Sequence, residues 1–137
     1  MFSHLFISVT DFAAAFDFYR ALMTELGLEL RFCDREKPWA GWHSAGGTRP
    51  LLVICTPFNG QPHHPGNGQM IALNAADRAT VQRAYATALA HGGSSEGEPG
   101  LRPHYHADFY GAYFRDPAGN KLCVVCHQPE PDFNPRA

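Results

Sequence analysis

A strand–helix unit recurs along this chain at an unbroken spacing of 66 residues. LFISVTDFAAAFDFYRALMTELG runs from Leu5 to Gly27, and IALNAADRATVQRAYATALAHGG from Ile71 to Gly93. Asp11 matches Asp77, Tyr19 matches Tyr85 and Gly27 matches Gly93. Each copy reads as an apolar strand, an Asp able to accept from the first free N–H groups of a helix, an amphipathic run and a Gly to end it. A duplicated unit of this kind builds paired sheets around a cleft, so the cleft is where function is sought.

The 137 residues suffice for one domain or two small fused modules, and a 45% hydrophobic composition with ten Phe supports a real core. A net charge of -2 offers nothing to nucleic acid or to an anionic membrane, and neither is expected as a partner. No apolar run approaches 18 residues, and the start MFSHLFISV lacks the basic region and cleavage site of an export signal. The four cysteines (33, 55, 123 and 126) then read as reduced thiols, and the expected compartment is the cytoplasm.

Residues 5–9 alternate as a strand, and Phe12, Ala15, Phe16, Tyr19, Leu22, Met23 and Leu26 form one apolar helical face. Leu28 to Cys33, Trp39 to His43 and Leu51 to Thr56 are further strands. The first module, 1–56, is thus βαβββ, followed by a Pro/Gly/Asn linker over 57–69 in which His63 and His64 are expected to be exposed. The second module, 70–127, has a strand from Met70 to Asn74 and a helix from Asp77 to about His91 whose inward face carries Val81, Ala84, Tyr85, Ala88 and Leu89. Residues 92–108 read as loop. Tyr110 to Arg115 and Lys121 to Cys126 form a hairpin across Asp116-Pro117-Ala118-Gly119, and 128–137 is a peripheral tail. The fold class is α+β: two tandem βαβββ modules forming a curved, barrel-like mixed sheet around a cleft.

Polar and aromatic side chains concentrate in RPHYHADFY, residues 102–110. His104 and His106 share a face if the segment is extended and are the candidate proton-moving residues; Arg102, Tyr105 and Tyr110 are candidate pocket residues beside them. Trp39 and Trp42 are candidate pocket walls, although three residues apart on a strand they cannot both face inward. The same alternation puts Cys123 and Cys126 on opposite faces, against a joint metal or redox role, and places Cys123 with Val125 and His127.

HLFISVTDFAAAFDFY, GQMIALNAAD and YFRDPAGNKLCVV, within residues 3–127, resemble the vicinal oxygen chelate superfamily. It takes in glyoxalase I, bleomycin-resistance proteins, extradiol dioxygenases and thiol transferases of the fosfomycin-resistance type. PGLRPHYHADFYGAYFRDPAGNKLCVVCH resembles a glyoxalase-like branch of it. The resemblance implies a homodimer and a divalent metal held by four side chains, one per strand, at His4, Ile54, Met70 and Cys123. The family has His, Glu, His and Glu there. His4 and Cys123 are left as candidate ligands, so a metal (Zn, Ni, Mn or Fe) is expected weakly bound or absent. Ser8 replaces the basic residue that serves glutathione recognition, and with Phe6 it lies on the face of His4, a pocket position.

Two functions follow. One is a glyoxalase-like protein that binds a small oxygenated or thiol-derived molecule in its cleft, a lyase if active, with an atypical metal site. The alternative is a metal-free protein of the bleomycin-resistance type that sequesters a small molecule between aromatic walls.

Overall fold

The structure, a computed structural model, describes residues 1–136. The first half runs β1 (His4–Ser8), α1 (Phe12–Glu25), β2 (Leu28–Asp34), β3 (Trp39–Ser44) and β4 (Leu51–Cys55). The second runs β5 (Ile71–Asn74), α2 (Arg78–Ala90), β6 (Ser94–Leu101), β7 (Tyr110–Arg115) and β8 (Lys121–Cys126). Each half is a βαβββ module making its own four-stranded sheet, ordered β1-β4-β3-β2 and β5-β8-β7-β6, with the first strand of each module parallel to the last. The sheets are curved and are not closed into one barrel.

The repeat is structural down to its caps. Asp11 accepts from the Ala14 amide at 3.1 Å and Asp77 from the Thr80 amide at 2.7 Å, each satisfying a donor that the first helical turn leaves free. Its last position shifts by one residue in the second copy. Gly27 takes φ 72°, but there it is Gly92, at φ 93°, that leaves the helix left-handed. Gly93 is instead fixed by crowding, since a Cβ would lie 2.7 Å from the Ala88 carbonyl oxygen and 2.9 Å from the Phe18 ring.

Both helices pack on their own sheets and on each other, and one core spans both modules. Phe16 and Trp42 meet at 5.9 Å between ring centres, and Phe18 meets Phe114 across the module boundary at 6.2 Å. Each such fully buried ring or aliphatic side chain contributes roughly 1.5–3 kcal/mol. Val81, Ala84 and Ala88 of α2 face inward as expected; Tyr85 is half-buried, and Leu89, beyond the contact with the sheet, is exposed.

The segment expected to be loop contains a strand. β6 holds Gly97, Pro99 and Gly100, bonds to β7 on one side only and breaks register twice, so it lacks the apolar alternation of an inner strand. The hairpin turn is an interior node. Asp116 is buried, accepts from the backbone amides of Ala118 and Asn120, and takes the Tyr19 hydroxyl at 2.6 Å. Asn120 donates to Asp116 and to the Ser8 carbonyl, both at 2.8 Å. This network ties α1, β1 and the β7–β8 turn together, and it gives the Asp-Pro-Ala-Gly-Asn run its structural reason.

Candidate functional site

Pairing register decides which side chains leave each sheet on the face away from its helix. On β1 and β4 the outer face carries His4, Phe6 and Ser8 beside Leu51, Val53 and Cys55, because these are direct partners in a parallel pair. Ile54 pairs with Ile7, on the core side, so the ligand-like position assigned to Ile54 moves one residue to Val53. On the second sheet Ala72 pairs with Cys123, and Cys123 with Tyr113. Tyr113, Arg115, Lys121 and Cys123 therefore share the outer face, while Tyr110, Ala112, Phe114, Leu122 and Val124 enter the core.

The expected site residues fall into four places. His4, Phe6, Ser8 and Trp39 lie on the outer face of the first sheet, where Phe6 is 55% exposed. The Ser8 hydroxyl bonds the His63 Nδ1 at 2.6 Å, and His63 Nε2 meets the Ala118 carbonyl at 3.1 Å. His63, expected to be exposed, is thus half-buried and pins the linker to both modules. Trp42 and Tyr110 are core residues, 2% and 5% exposed. Trp42 packs on Phe16 and Tyr19, and its edge reaches an apolar cavity of 520 Å³ between the first sheet and β5. The Tyr110 hydroxyl accepts from Gln82 at 2.5 Å, and its ring packs against Phe133.

His104 and His106 do not share a face, since the segment between β6 and β7 turns rather than extends. His106 Nε2 lies 2.8 Å from His127 Nδ1, while His104 packs on Tyr105 at 4.3 Å between ring centres.

Arg102, His104 and Tyr105 converge with the outer face of the second sheet. The Arg102 guanidinium lies 5.4 Å from the Tyr113 ring centre and the Lys121 ammonium 5.8 Å from it. Arg102 is held there by donating to the Glu98 carbonyl at 2.7 Å. Phe109 lies on the sheet over Gly111, where a Cβ would come within 2.9 Å of its ring; glycine is required for that approach. The Phe109 ring supports Tyr105 at 4.9 Å, leaving Tyr105 exposed. Linker residues 64–69 form the opposite wall of an open depression of 820 Å³, which Met70, Tyr105, Tyr113, Arg115 and Lys121 also line. A narrower pocket of 240 Å³ is lined by Glu96, Arg102, His104, Tyr105, Tyr113 and Lys121.

Tyr113 and Lys121 are absent from the expected site. The alternation across the hairpin carries the signal: counting outward from the turn puts Tyr113, Arg115, Lys121 and Cys123 on one side. Burial pushes the Cys123 thiol up to about 11, and burial with Cys123 alongside pushes the Tyr113 phenol up to about 12. Both groups are neutral at pH 7. Glu96 is held below the usual carboxylate range by Arg115, which donates to it at 2.5 Å.

A divalent metal does not fit the residues present. The four positions carry an imidazole at His4, an isopropyl group at Val53, a thioether at Met70 and a thiol at Cys123 that resists becoming the thiolate a metal needs. His4 is exposed, and its Nδ1 meets the Ser3 hydroxyl at 2.9 Å. Among the described residues, no three His, Cys, Asp or Glu side chains cluster so as to hold a metal ion.

The fold is a pair of βαβββ modules, each with its own four-stranded sheet. Residues 1–124 match the family model of the glyoxalase/bleomycin resistance protein/dioxygenase superfamily. A glyoxalase/bleomycin resistance protein from Albidiferax ferrireducens is similar at 34% identity over 92% of this chain and 98% of its own, with a TM-score of 0.81. A glyoxalase-related enzyme from Fulvimarina pelagi, at 17% identity over 98% and 95% of the chains, shares the fold with a TM-score of 0.70. So does a lactoylglutathione lyase from Agrobacterium tumefaciens, at 24% identity over 92% of each chain, with a TM-score of 0.61. A comparison with curated proteins finds no match. The chain belongs to the glyoxalase/bleomycin resistance protein/dioxygenase superfamily.

Proposed function

We propose that this protein binds a small oxygenated molecule on the outer face of its second sheet, without a resident metal, in the sequestering manner of the bleomycin-resistance type. One observation carries the reading. Tyr105, Tyr113 and Lys121 line both a depression walled by the linker and the smaller pocket beside it that holds Arg102, while the four ligand-like positions offer one imidazole and no carboxylate. A concave surface with an aromatic floor and a few placed polar groups is what small-molecule recognition needs.

The same reading takes the chain as a cytoplasmic homodimer. β1 and β5 are edge strands, each paired on one side only, and both border the apolar cavity of 520 Å³, a surface suited to a second copy. Light scattering tests the state. All four cysteines are free, which supports a reducing compartment, and no described helix is long and apolar enough to cross a membrane.

The competing reading is a lyase that uses His4 as a metal ligand and His104 or His106 to move a proton. The two separate on treatment with a chelator. Resonances of Tyr105 and Tyr113 are expected to shift on titration with small aromatic oxygen compounds equally with and without EDTA. Binding abolished by EDTA and restored by Ni or Zn, with loss of both on His4→Ala, would overturn the metal-free reading.

A further inference from the structure

We infer that the ligand of this outer face is an anion, a carboxylate or equally compact charged group on an apolar body. This rests on the site proposed above and adds the chemical class. Arg102 and Lys121 both stand over the Tyr113 ring, and among the described residues neither has a carboxylate partner. The Arg102 contacts are to the carbonyl oxygens of Glu98 and Leu101. Glu96, the one carboxylate in the pocket, is engaged by Arg115.

The face thus keeps two cations with no carboxylate in contact, although the chain as a whole carries a net charge of -2. Positive charge concentrated against the overall sign is not a by-product of composition. Two cations placed close together repel each other, and an aromatic ring relieves only part of that. An anion bound at this face offsets that repulsion and can take charge-assisted hydrogen bonds from either cation. The guanidinium, held by its backbone acceptors, is preorganised for a planar acceptor, and the flexible ammonium closes from the other side.

The remaining walls set the rest of the ligand. Tyr105 is 61% exposed and braced from behind by Phe109, so its ring is available to a flat or aliphatic body. Met70, from the opposite wall, adds an adaptable apolar surface. A cationic ligand, which aromatic walls alone would admit, meets like charge here.

The test compares three probes of one shape on the full chain: benzoate, benzyl alcohol and benzylamine, followed by NMR at low ionic strength. Benzoate is expected to bind about tenfold more tightly than benzyl alcohol, and benzylamine more weakly than either. Lys121→Gln should weaken benzoate several-fold and leave benzyl alcohol unchanged. Arg102→Gln should do the same, with the spectrum of the 102–109 segment as the control for local order. Benzyl alcohol or benzylamine binding as tightly as benzoate would overturn the anion while leaving the site standing. No shift of Tyr105 or Tyr113 with any probe would overturn the site itself.

Discussion

Cys123 is neutral for a reason that can be measured. Its thiol sits in the middle of β8 with the Tyr113 strand alongside, and burial holds it protonated up to about pH 11. In the unfolded chain a thiol titrates near 8.5. The folded state therefore binds one more proton between those limits. The stability this contributes is fully present below the lower one and is lost as pH rises through the upper. The midpoint of urea unfolding is expected to fall from about pH 9 to pH 11, with a shallower fall in Cys123→Ala. The same burial predicts that alkylation with iodoacetamide at pH 8, followed by peptide mapping, labels exposed Cys33 first and Cys123 last. Asp116 is the other decisive side chain. Asp116→Ala leaves the buried Tyr19 hydroxyl and the turn amides without an acceptor, and should cost about 3 kcal/mol in denaturant unfolding. Tyr19→Phe removes both the donor and the need for it, and should cost about 1 kcal/mol.

At the scale of elements, the helix caps carry a matched prediction. Asp11→Ala and Asp77→Ala should each cost about 1 kcal/mol. Hydrogen bonds from Thr80 hold the Asp77 carboxyl below its ordinary range, so its contribution is present above the unfolded value and fades as pH falls through the folded one. The stability gap between the native chain and Asp77→Asn should close as pH drops below about 4. Both caps were legible in the sequence because capping is local: an Asp, a run of helical period and a Gly lie within one stretch of chain. The β7–β8 hairpin was legible for the same reason. β6 was not, since an edge strand rich in glycine is specified by its neighbour rather than by its own pattern. The site divides along the same line. Arg102 and Tyr105 stood out as a local cluster, but their meeting with Tyr113 and Lys121 depends on strand pairing. His104 and His106 were separated by a turn that alternation alone does not reveal. The register of β4 decided Val53 over Ile54, and one residue of slip reverses every side chain on a strand.

At the scale of the molecule, the two modules share form more than chemistry. The backbone repeat keeps its caps and its parallel first-to-last strand pairing, while His4 answers to Met70 and Val53 to Cys123. Only the second outer face gathers Arg102, Lys121, Tyr105 and Tyr113. The Asp116 node also bears on how this chain is made. Tyr19 waits for an acceptor 97 residues further on, and the Ser8 carbonyl waits for Asn120. A ribosome releases the first module before either partner exists, so that half emerges without the Asp116 acceptor and without the second module's share of the common core. The repeat in space is therefore not a pair of separable halves in time. A fragment of residues 1–69 should show helical circular dichroism without cooperative unfolding. Adding 70–137 in trans should restore a single transition, and Asp116→Ala in the second fragment should prevent it.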